Sequence, residues 1–389
     1  MSSMRATIHQ IVSSLIPFDH LEEEHLNFTK QWIASGAEIF RLELPDQPPI
    51  HLVSYFILID PQTNDLLLVD HKKAQHWLPP GGHVEFNEHP KDTVKREAQE
   101  ELGIEADFLF AEPQFLTVRP TVGTCASHVD VSLWYVLKGN ANTSLNYDTA
   151  EFQQIRWFKP LEIPFEHADP HLKRFINKVC KKLTTLNSYD VSATQYAINT
   201  ESLHPQKDAQ KFLTLLPSKR AKLLDIGCGP GRDAKIFLEH GMDVVGIDFS
   251  AKMIEIAQKN VPQGIFQVMD IESLVFSPEA FEGAWANCAL LHLPKKNMPV
   301  VLKNIWTILK PGGCLYISLK QDDKHELSIP DLRYDGLEKF WSFYQENEIH
   351  TLLNESGFEV IEMDVSHPAT NYHTHALIKI FAIKQEEKK

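Results

Sequence analysis

With 389 residues, 43% of them hydrophobic and 23% charged, the chain is long enough for two hydrophobic cores and too evenly mixed to be a disordered or fibrous protein. A formal net charge of −14 argues against nonspecific nucleic-acid binding, which draws its affinity from many Lys and Arg contacts to phosphate. There is no apolar run long enough to span a bilayer and no signal-peptide pattern at the N-terminus, and Cys125, Cys180, Cys228, Cys288 and Cys314 are scattered without metal-ligand spacing, so a cytoplasmic protein with reduced thiols is expected.

Asp19 followed by Glu22 has the form of a capping box, and Leu21, Phe28, Trp32 and Ile33 lie near helical spacing before Gly36, which predicts one N-terminal helix. Residues 51–60 and 66–70 are apolar runs separated by a turn-rich segment, a hairpin signal, and Trp77-Leu-Pro-Pro-Gly-Gly82 leads from a strand toward a helix. On that helix Glu97, Glu100 and Glu101 stand at i, i+3 and i+4, so their carboxylates share one face while Val94, Ala98 and Leu102 turn toward the core. Carboxylates so crowded repel one another unless a cation sits between them, and hard oxygen ligands suit Mg²⁺ or Mn²⁺, ions that bridge phosphate oxygens and activate water. Further strands are predicted at 115–118, 129–137 and 155–158. Alternation from His128 to Tyr135 puts His128, Asp130 and Ser132 on one face, which either lines a cleft or meets solvent, and Trp134 and Trp157 are expected in the core.

Residues 82–104 match position for position the box G-x5-E-x7-R-E-U-x-E-E-x-G-U (U apolar), and the segment from about 40 to 160 therefore resembles the Nudix hydrolases. The resemblance implies an α/β/α sandwich and a small nucleotide-type substrate. It also implies metal ligation by Glu97, Glu100 and Glu101 with a carbonyl from Gly82, and a catalytic set of Glu97, Arg96, Glu101 and Glu88. In that set Arg96 would orient Glu97 through a bidentate pair and Glu88 would shape the loop. A carboxylate outside the box often completes such a site, and Glu151 and Asp130 are the candidates.

Past a short polar stretch, Lys181 to Ser188, read as the junction between domains 1–185 and 186–389, the pattern changes. A buried strand ending in Asp225 runs into Gly227-Cys-Gly229-Pro-Gly231, a turn that lets backbone approach a ligand, and a second strand ends in Asp248, an acid placed to accept ribose hydroxyls. An acid beside the glycine turn is unwelcome for pyrophosphate and suits a cationic amino acid. These residues resemble the class I S-adenosylmethionine-dependent methyltransferases over about 188–386. The resemblance implies a Rossmann-like seven-stranded sheet in which Asp225, Gly227, Gly229 and Gly231 hold the methionine end and Asp248 the ribose. Phe249 and Met253 would flank the adenine, with Asp270 bonding its amine and Ile271 packing on the ring, and Asn287 would lie in the motif beside the transferred methyl. Tyr189, Tyr196, Arg333, Tyr334 and Trp341 resemble lid and substrate elements. His292 is a candidate base, although a lone His at a strand end is more often a structural hydrogen-bonder. No Asn-Pro-Pro-Tyr or Asp-Pro-Pro-Tyr run is present, which disfavours methylation of DNA bases.

The chain is thus expected to be a two-domain α/β enzyme. It would combine Mg²⁺-dependent hydrolysis of a nucleoside diphosphate linked to another moiety with methyl transfer to a small-molecule acceptor. The alternatives are processing and methylation of an RNA 5′ end, or a ligand sensor with one silent domain.

Overall fold

Backbone contacts divide the chain into two units, Met1–Leu183 and Thr184–Lys389. The computed structural model describes residues 3–42, 48–121, 128–367, 372 and 374–385; Cys125 and the charged tail 386–389 lie outside the described residues.

The first unit opens with two helices where one was expected. In α1 (Ser3–Ser14), Ile8, Ile11 and Val12 recur at helical spacing and are buried. In α2 (His20–Ala34), Asp19 caps the first turn by accepting the Glu22 N–H at 2.9 Å. The inward face of α2 is Glu22, Leu26, Thr29 and Ile33, and the expected Leu21 and Phe28 are exposed. The reason lies in Glu22, whose carboxylate accepts N–H groups from Phe18 (2.6 Å) and Leu116 (3.2 Å) and pairs with Lys178 at 2.8 Å. Burial pushes its pKa up, against the pull of Lys178.

A mixed sheet follows, made of β1 (Ile50–Ile59), β2 (Leu66–His71), β3 (His76–Leu78) and β4 (Gly81–His83), then, after helix α3 (Pro90–Leu102), β5 (Phe115–Pro120), β6 (Val129–Lys138) and β7 (Phe152–Phe158). The strand order is β3-β2-β1-β6-β5, with β4 on β1 and β7 on β2, and β1 and β6 run parallel. Val94, Ala98 and Leu102 of α3 pack with Leu52 and Leu133 on one face. On the other face Phe175, from helix α4 (Leu172–Thr200), lies against Trp134 and Phe115, which completes the α/β/α layering.

The stretch read as a polar junction is part of α4. It contains no Gly or Pro, and Val179, Leu183 and Leu186 continue a buried stripe at helical spacing.

In the second unit α5 (Gln206–Leu215) precedes β8 (Lys222–Ile226), α6 (Arg232–Glu239), β9 (Asp243–Asp248), α7 (Ala251–Asn260), β10 (Ile265–Val268), β11 (Phe281–Asn287), α8 (Met298–Ile308) and β12 (Leu309–Gln321). A hairpin β13 (Glu326–Asp331) with β14 (Leu337–Ser342), not foreseen, and α9 (Glu346–Glu355) come before β15 (Phe358–Ser366) and β16 (Ala376–Lys384). The sheet order is β10-β9-β8-β11-β12-β16-β15, parallel except for β16, which is antiparallel to both neighbours. Strand order reverses between β8 and β11, so the crevice outside their carboxyl ends is where such a sheet takes a ligand. Below it, Trp285 and Tyr316 stack at 3.8 Å among Phe212 and Phe237. Among the described residues no helix is long and apolar enough to cross a membrane.

Replacing Lys178 with Met removes the cation from a carboxylate that is fully buried. The expected cost is on the order of 3 kcal/mol in stability, measured by urea denaturation; a loss below about 0.5 kcal/mol would show the pair to be dispensable.

Candidate functional site

In the first unit the geometry begins with the start of α3, where Pro90 occupies the first turn and the His89 side chain accepts the Lys91 N–H at 3.1 Å. That fixes the phase of the helix and turns Glu97 and Glu101 toward β4. The Gly81 N–H donates to Glu101 Oε2 at 2.8 Å. Gly82 lies so close to Glu97 that a Cβ there would stand 1.9 Å from its Oε1, so the residue must be glycine for the carboxylate to occupy its position. Glu101 is 5% exposed and Glu97 half-buried, while the Glu100 side chain is 60% exposed at the rim.

Arg96 holds this loop and helix together. Its Nε and Nη2 reach Glu88 at 3.3 Å each, Nη2 also donates to the His83 carbonyl at 3.1 Å, and Nη1 donates to Glu97 at 2.6 Å. The two-pronged partner is therefore Glu88, and Glu97 receives a single bond, the reverse of the pairing expected from the sequence. Glu88 also accepts from the Thr93 hydroxyl at 2.8 Å. Burial acts to raise its pKa, but the bonds from Arg96, Glu85 and Thr93 hold it below the usual carboxylate range.

Glu101 is pushed up to about 9, first by burial and then by the negative charge of Glu97 and Glu151. Burial raises Glu97 as well, with Glu100 and Glu151 adding to it against Arg96. This is the electrostatic signature expected where a cation belongs. Of the two carboxylates proposed to complete the set, Glu151 repels both Glu97 and Glu101 and is itself held low, chiefly by a hydrogen bond from His71. Asp130 instead sits among His51, His83 and His128, with His128 Nε2 at 3.1 Å. All these groups but His51 line one cleft of about 670 Å³. His128, Asp130 and Ser132 face that cleft, which decides between the two readings of their strand; Trp134 is core.

In the second unit the glycine turn follows β8. Gly227 has φ +66°, and a Cβ on it would lie 2.5 Å from that of Ala289, so no side chain fits there. Asp225, at the strand end, is buried, and its Oδ2 has no hydrogen-bond partner among the described residues. Burial, followed by repulsion from Asp233, drives its pKa well above the usual range. An orphaned carboxylate oxygen beside a glycine turn fits the cationic end of an amino acid. Asp248 accepts the Gly229 N–H at 3.0 Å and the Ser250 N–H at 2.9 Å, and burial raises it to about 6 against those two bonds. Met253 is buried within α7, and the Asp270 side chain accepts the Glu272 N–H, with Ile271 in the short turn that follows.

A network that sequence reasoning missed secures the switch point. Asp233 Oδ2 accepts from Trp285 Nε1 (2.9 Å) and Asn287 Nδ2 (2.8 Å), while Asn287 Oδ1 accepts from the Ser318 hydroxyl at 2.7 Å. The Asn287 amide is thus committed to β11, β12 and α6. His292 accepts from Tyr189 Oη at 2.7 Å on Nε2, because its Nδ1–H donates to the Phe340 carbonyl at 2.8 Å. Burial drops its pKa to about 3, so it is a neutral, structural hydrogen-bonder. A cavity of about 430 Å³ opens alongside, lined by Tyr189, Arg232, Cys288, Lys320, Arg333 and Trp341 among others. Arg232 and Arg333 are paired with Asp233 and Asp331. Lys320 has no carboxylate partner among the described residues; its Nζ lies 3.2 Å from the centre of the Trp341 ring, and burial, then Arg333, lowers its pKa to about 7.

A carboxylate-lined cleft under an α/β/α sandwich and a glycine turn at the switch point of a doubly wound sheet mark two enzyme domains. A family model of the NUDIX domain matches residues 50–179, and one described as a methyltransferase domain matches 202–363. Among curated proteins, the malonyl-[acyl-carrier protein] O-methyltransferase of Salmonella typhimurium is 26% identical over 185 residues, covering 43% of this chain and 73% of that protein. O-methyltransferase resE of Aspergillus sclerotiorum is 32% identical over 153 residues, 36% of this chain and 55% of that protein, and the trans-aconitate 2-methyltransferase of Variovorax paradoxus is 29% identical over 139 residues, 35% and 52%. The chain thus spans about half the length of the last two. A solved S-adenosylmethionine-dependent methyltransferase from Methanosarcina mazei aligns at 22% identity and a TM-score of 0.43, covering 47% of this chain and 99% of that one. The chain carries a NUDIX domain followed by a methyltransferase domain.

Because Gly82 is not in the left-handed region and the three atoms nearest an added Cβ all belong to Glu97, Gly82→Ala probes that contact. A displacement of about 1 Å at Glu97 is expected to lower the hydrolysis rate about 100-fold with little change in the unfolding midpoint. Steady-state kinetics beside a thermal melt check it, and near-normal turnover would show that Glu97 need not approach so closely.

Proposed function

We propose that this is a bifunctional enzyme: the Nudix domain hydrolyses a nucleoside diphosphate linked to a second moiety with Mg²⁺ or Mn²⁺, and the second domain methylates a small anionic acceptor. The observation that carries the first half is the burial of Glu101 among the negative charges of Glu97 and Glu151, with only Glu97 paired to an arginine and Gly82 reduced to a hydrogen to admit that carboxylate. Glu97, Glu100, Glu101 and the Gly82 carbonyl would hold the ion, and Glu151 is favoured over Asp130 to complete the set. When bound, the ion neutralises phosphate charge and activates water. Arg96 and Glu88 are positioning residues: their fork sets the phase of Glu97 and ties the helix to the His83 carbonyl.

In the methyltransferase domain, Asp225 with Gly227, Gly229 and Gly231 would receive the methionine end and Asp248 the ribose. Phe249, Met253, Asp270 and Ile271 would surround the adenine. Asn287 would act through Asp233, keeping Arg232 at the cavity wall. Displacement at a sulfonium needs alignment more than a base, which agrees with a neutral, doubly bonded His292. Lys320 supports an anionic acceptor, since a buried amine that forms no ion pair among the described residues gains most from a ligand that brings a carboxylate. Two of the relatives act, by name, on malonyl and aconitate groups, both of which carry carboxylates. Free thiols at Cys180, Cys228, Cys288 and Cys314 support a reducing, cytoplasmic setting.

Glu97→Gln and Glu101→Gln are each expected to cut hydrolysis of a nucleotide-sugar and dinucleotide panel by at least about 100-fold at saturating Mg²⁺, while binding of S-adenosylmethionine persists. Turnover close to wild type in both would remove these residues from the mechanism. Lys320→Met is expected to raise KM for di- and tricarboxylate acceptors about tenfold or more, one charge-assisted hydrogen bond being worth about 1.5–3 kcal/mol, with donor affinity unchanged. Labelled methyl transfer across the panel reads this out, and an unchanged KM would exclude Lys320 from acceptor binding.

A further inference from the structure

The sheet of the Nudix domain gathers four side chains that neither the carboxylate set nor the methyl-donor site requires. In its first half β1 lies between β4 and β6, with His51 opposite Asp130 and Val53 opposite His83. Alternation along the strands puts His51, His83 and Asp130 on one face, and His128, two residues before Asp130, joins them. The ring centres of His51 and His128 are 4.5 Å apart, those of His51 and His83 4.6 Å, and those of His83 and His128 5.6 Å. Asp130 Oδ1 is their common neighbour, with Nε2 of His128 at 3.1 Å, of His51 at 3.8 Å and of His83 at 4.0 Å. One ligand atom from each of the four lies within 4.8 Å of the other three.

Two of the three separations from Asp130 Oδ1 are too long for hydrogen bonds, and all three are within about half an ångström of the edges of a coordination polyhedron. N–H···O bonds lie near 2.7–3.2 Å, whereas nitrogen and oxygen ligands held at about 2.0–2.2 Å around a tetrahedral ion stand roughly 3.3–3.6 Å apart. The tautomer of His51 is already the one a metal needs. Its Nδ1–H donates to the Pro48 carbonyl at 2.9 Å, which leaves the lone pair on Nε2. Three imidazoles and one carboxylate suit zinc far better than magnesium, the opposite of the all-oxygen Glu set.

We propose that His51, His83, His128 and Asp130 form a second metal site, a tetrahedral Zn²⁺ site in the same cleft as the Nudix carboxylates and distinct from them in chemistry. Four protein ligands leave no open position, so the ion is structural. It fastens β4, which carries Gly81 and Gly82, to β1 and β6. Arg41 competes with it: Nη1 donates to His83 Nδ1 at 3.0 Å, and Nη2 reaches Glu85 at 3.3 Å. A metal on Nε2 places the ring proton on Nδ1, so loading requires Arg41 to release His83 and keep Glu85.

The test uses the full-length protein, stripped with a chelator and titrated with Zn²⁺ in excess Mg²⁺, with metal analysis after desalting and Co²⁺ as a spectroscopic probe of geometry. One equivalent of Zn²⁺ and intense tetrahedral Co²⁺ bands are expected. Since loss of an outer partner alone costs about 10–100-fold in metal affinity, His51→Gln and Asp130→Asn should each weaken Zn²⁺ by at least about 100-fold. Glu101→Gln should leave Zn²⁺ affinity unchanged, and Arg41→Ala should tighten it. His51 is fully buried, so if its variant misfolds, as judged by circular dichroism, the decision passes to Asp130→Asn, whose side chain is 14% exposed. Failure to bind one equivalent, undiminished affinity in Asp130→Asn, or loss of Zn²⁺ binding in Glu101→Gln would overturn the proposal.

Discussion

Buried negative charge without a fixed counter-charge is the constraint on which both halves of the chain depend. In the Nudix domain it is Glu101, beside a Glu97 that Arg96 pairs, and in the methyltransferase domain Asp225, beside an Asp233 that Arg232 pairs. Each lies near a glycine with no room for a side chain, Gly82 because of the Glu97 carboxylate and Gly227 because of Ala289. An isolated buried carboxylate is costly enough to take up a proton instead. The free protein therefore holds these groups in a poised, high-pKa state that a divalent cation or a cationic amino acid relieves. Stability is given up at the two sites and recovered on binding.

The surrounding structure makes that poise possible. Arg96 is spent mainly on Glu88 and the His83 carbonyl, so it fixes the loop without neutralising Glu101. In the second domain Arg232 serves Asp233, and Trp285 and Asn287 complete that carboxylate's hydrogen bonds, which leaves Asp225 Oδ2 open. Paired and unpaired acids stand side by side, and the pairing decides which of them is available to a ligand.

Local sequence carried the two architectures well. The Nudix box specified α3 and its inward carboxylates because helical spacing alone puts Glu97 and Glu101 on one face, and β8 to β9 were legible from apolar runs ending in acids. What escaped was set by distant partners. The orientation of α2 depends on Glu22 meeting Lys178, some 156 positions away, so apolar spacing alone points to the wrong face. The stripe through Val179, Leu183 and Leu186 is present in the sequence, but the polar residues between them give the segment the composition of a linker. His51 and His83 had no local signal linking them to His128 and Asp130; only strand register brings them together. The Asp233 network likewise joins residues more than 50 positions apart.

The claim that crowded carboxylates await a cation makes metal binding a proton-releasing event. Glu101, held at about 9 without metal, is protonated at pH 7 and must lose that proton to become a ligand. Titrating Mg²⁺ calorimetrically in buffers of different ionisation enthalpy measures the release directly. The expected result is close to one proton freed per ion at pH 7, declining as the pH passes 9, with affinity rising over the same interval, and no such release in Glu101→Gln. Proton-independent binding at pH 7, or the same release from Glu101→Gln, would contradict the account.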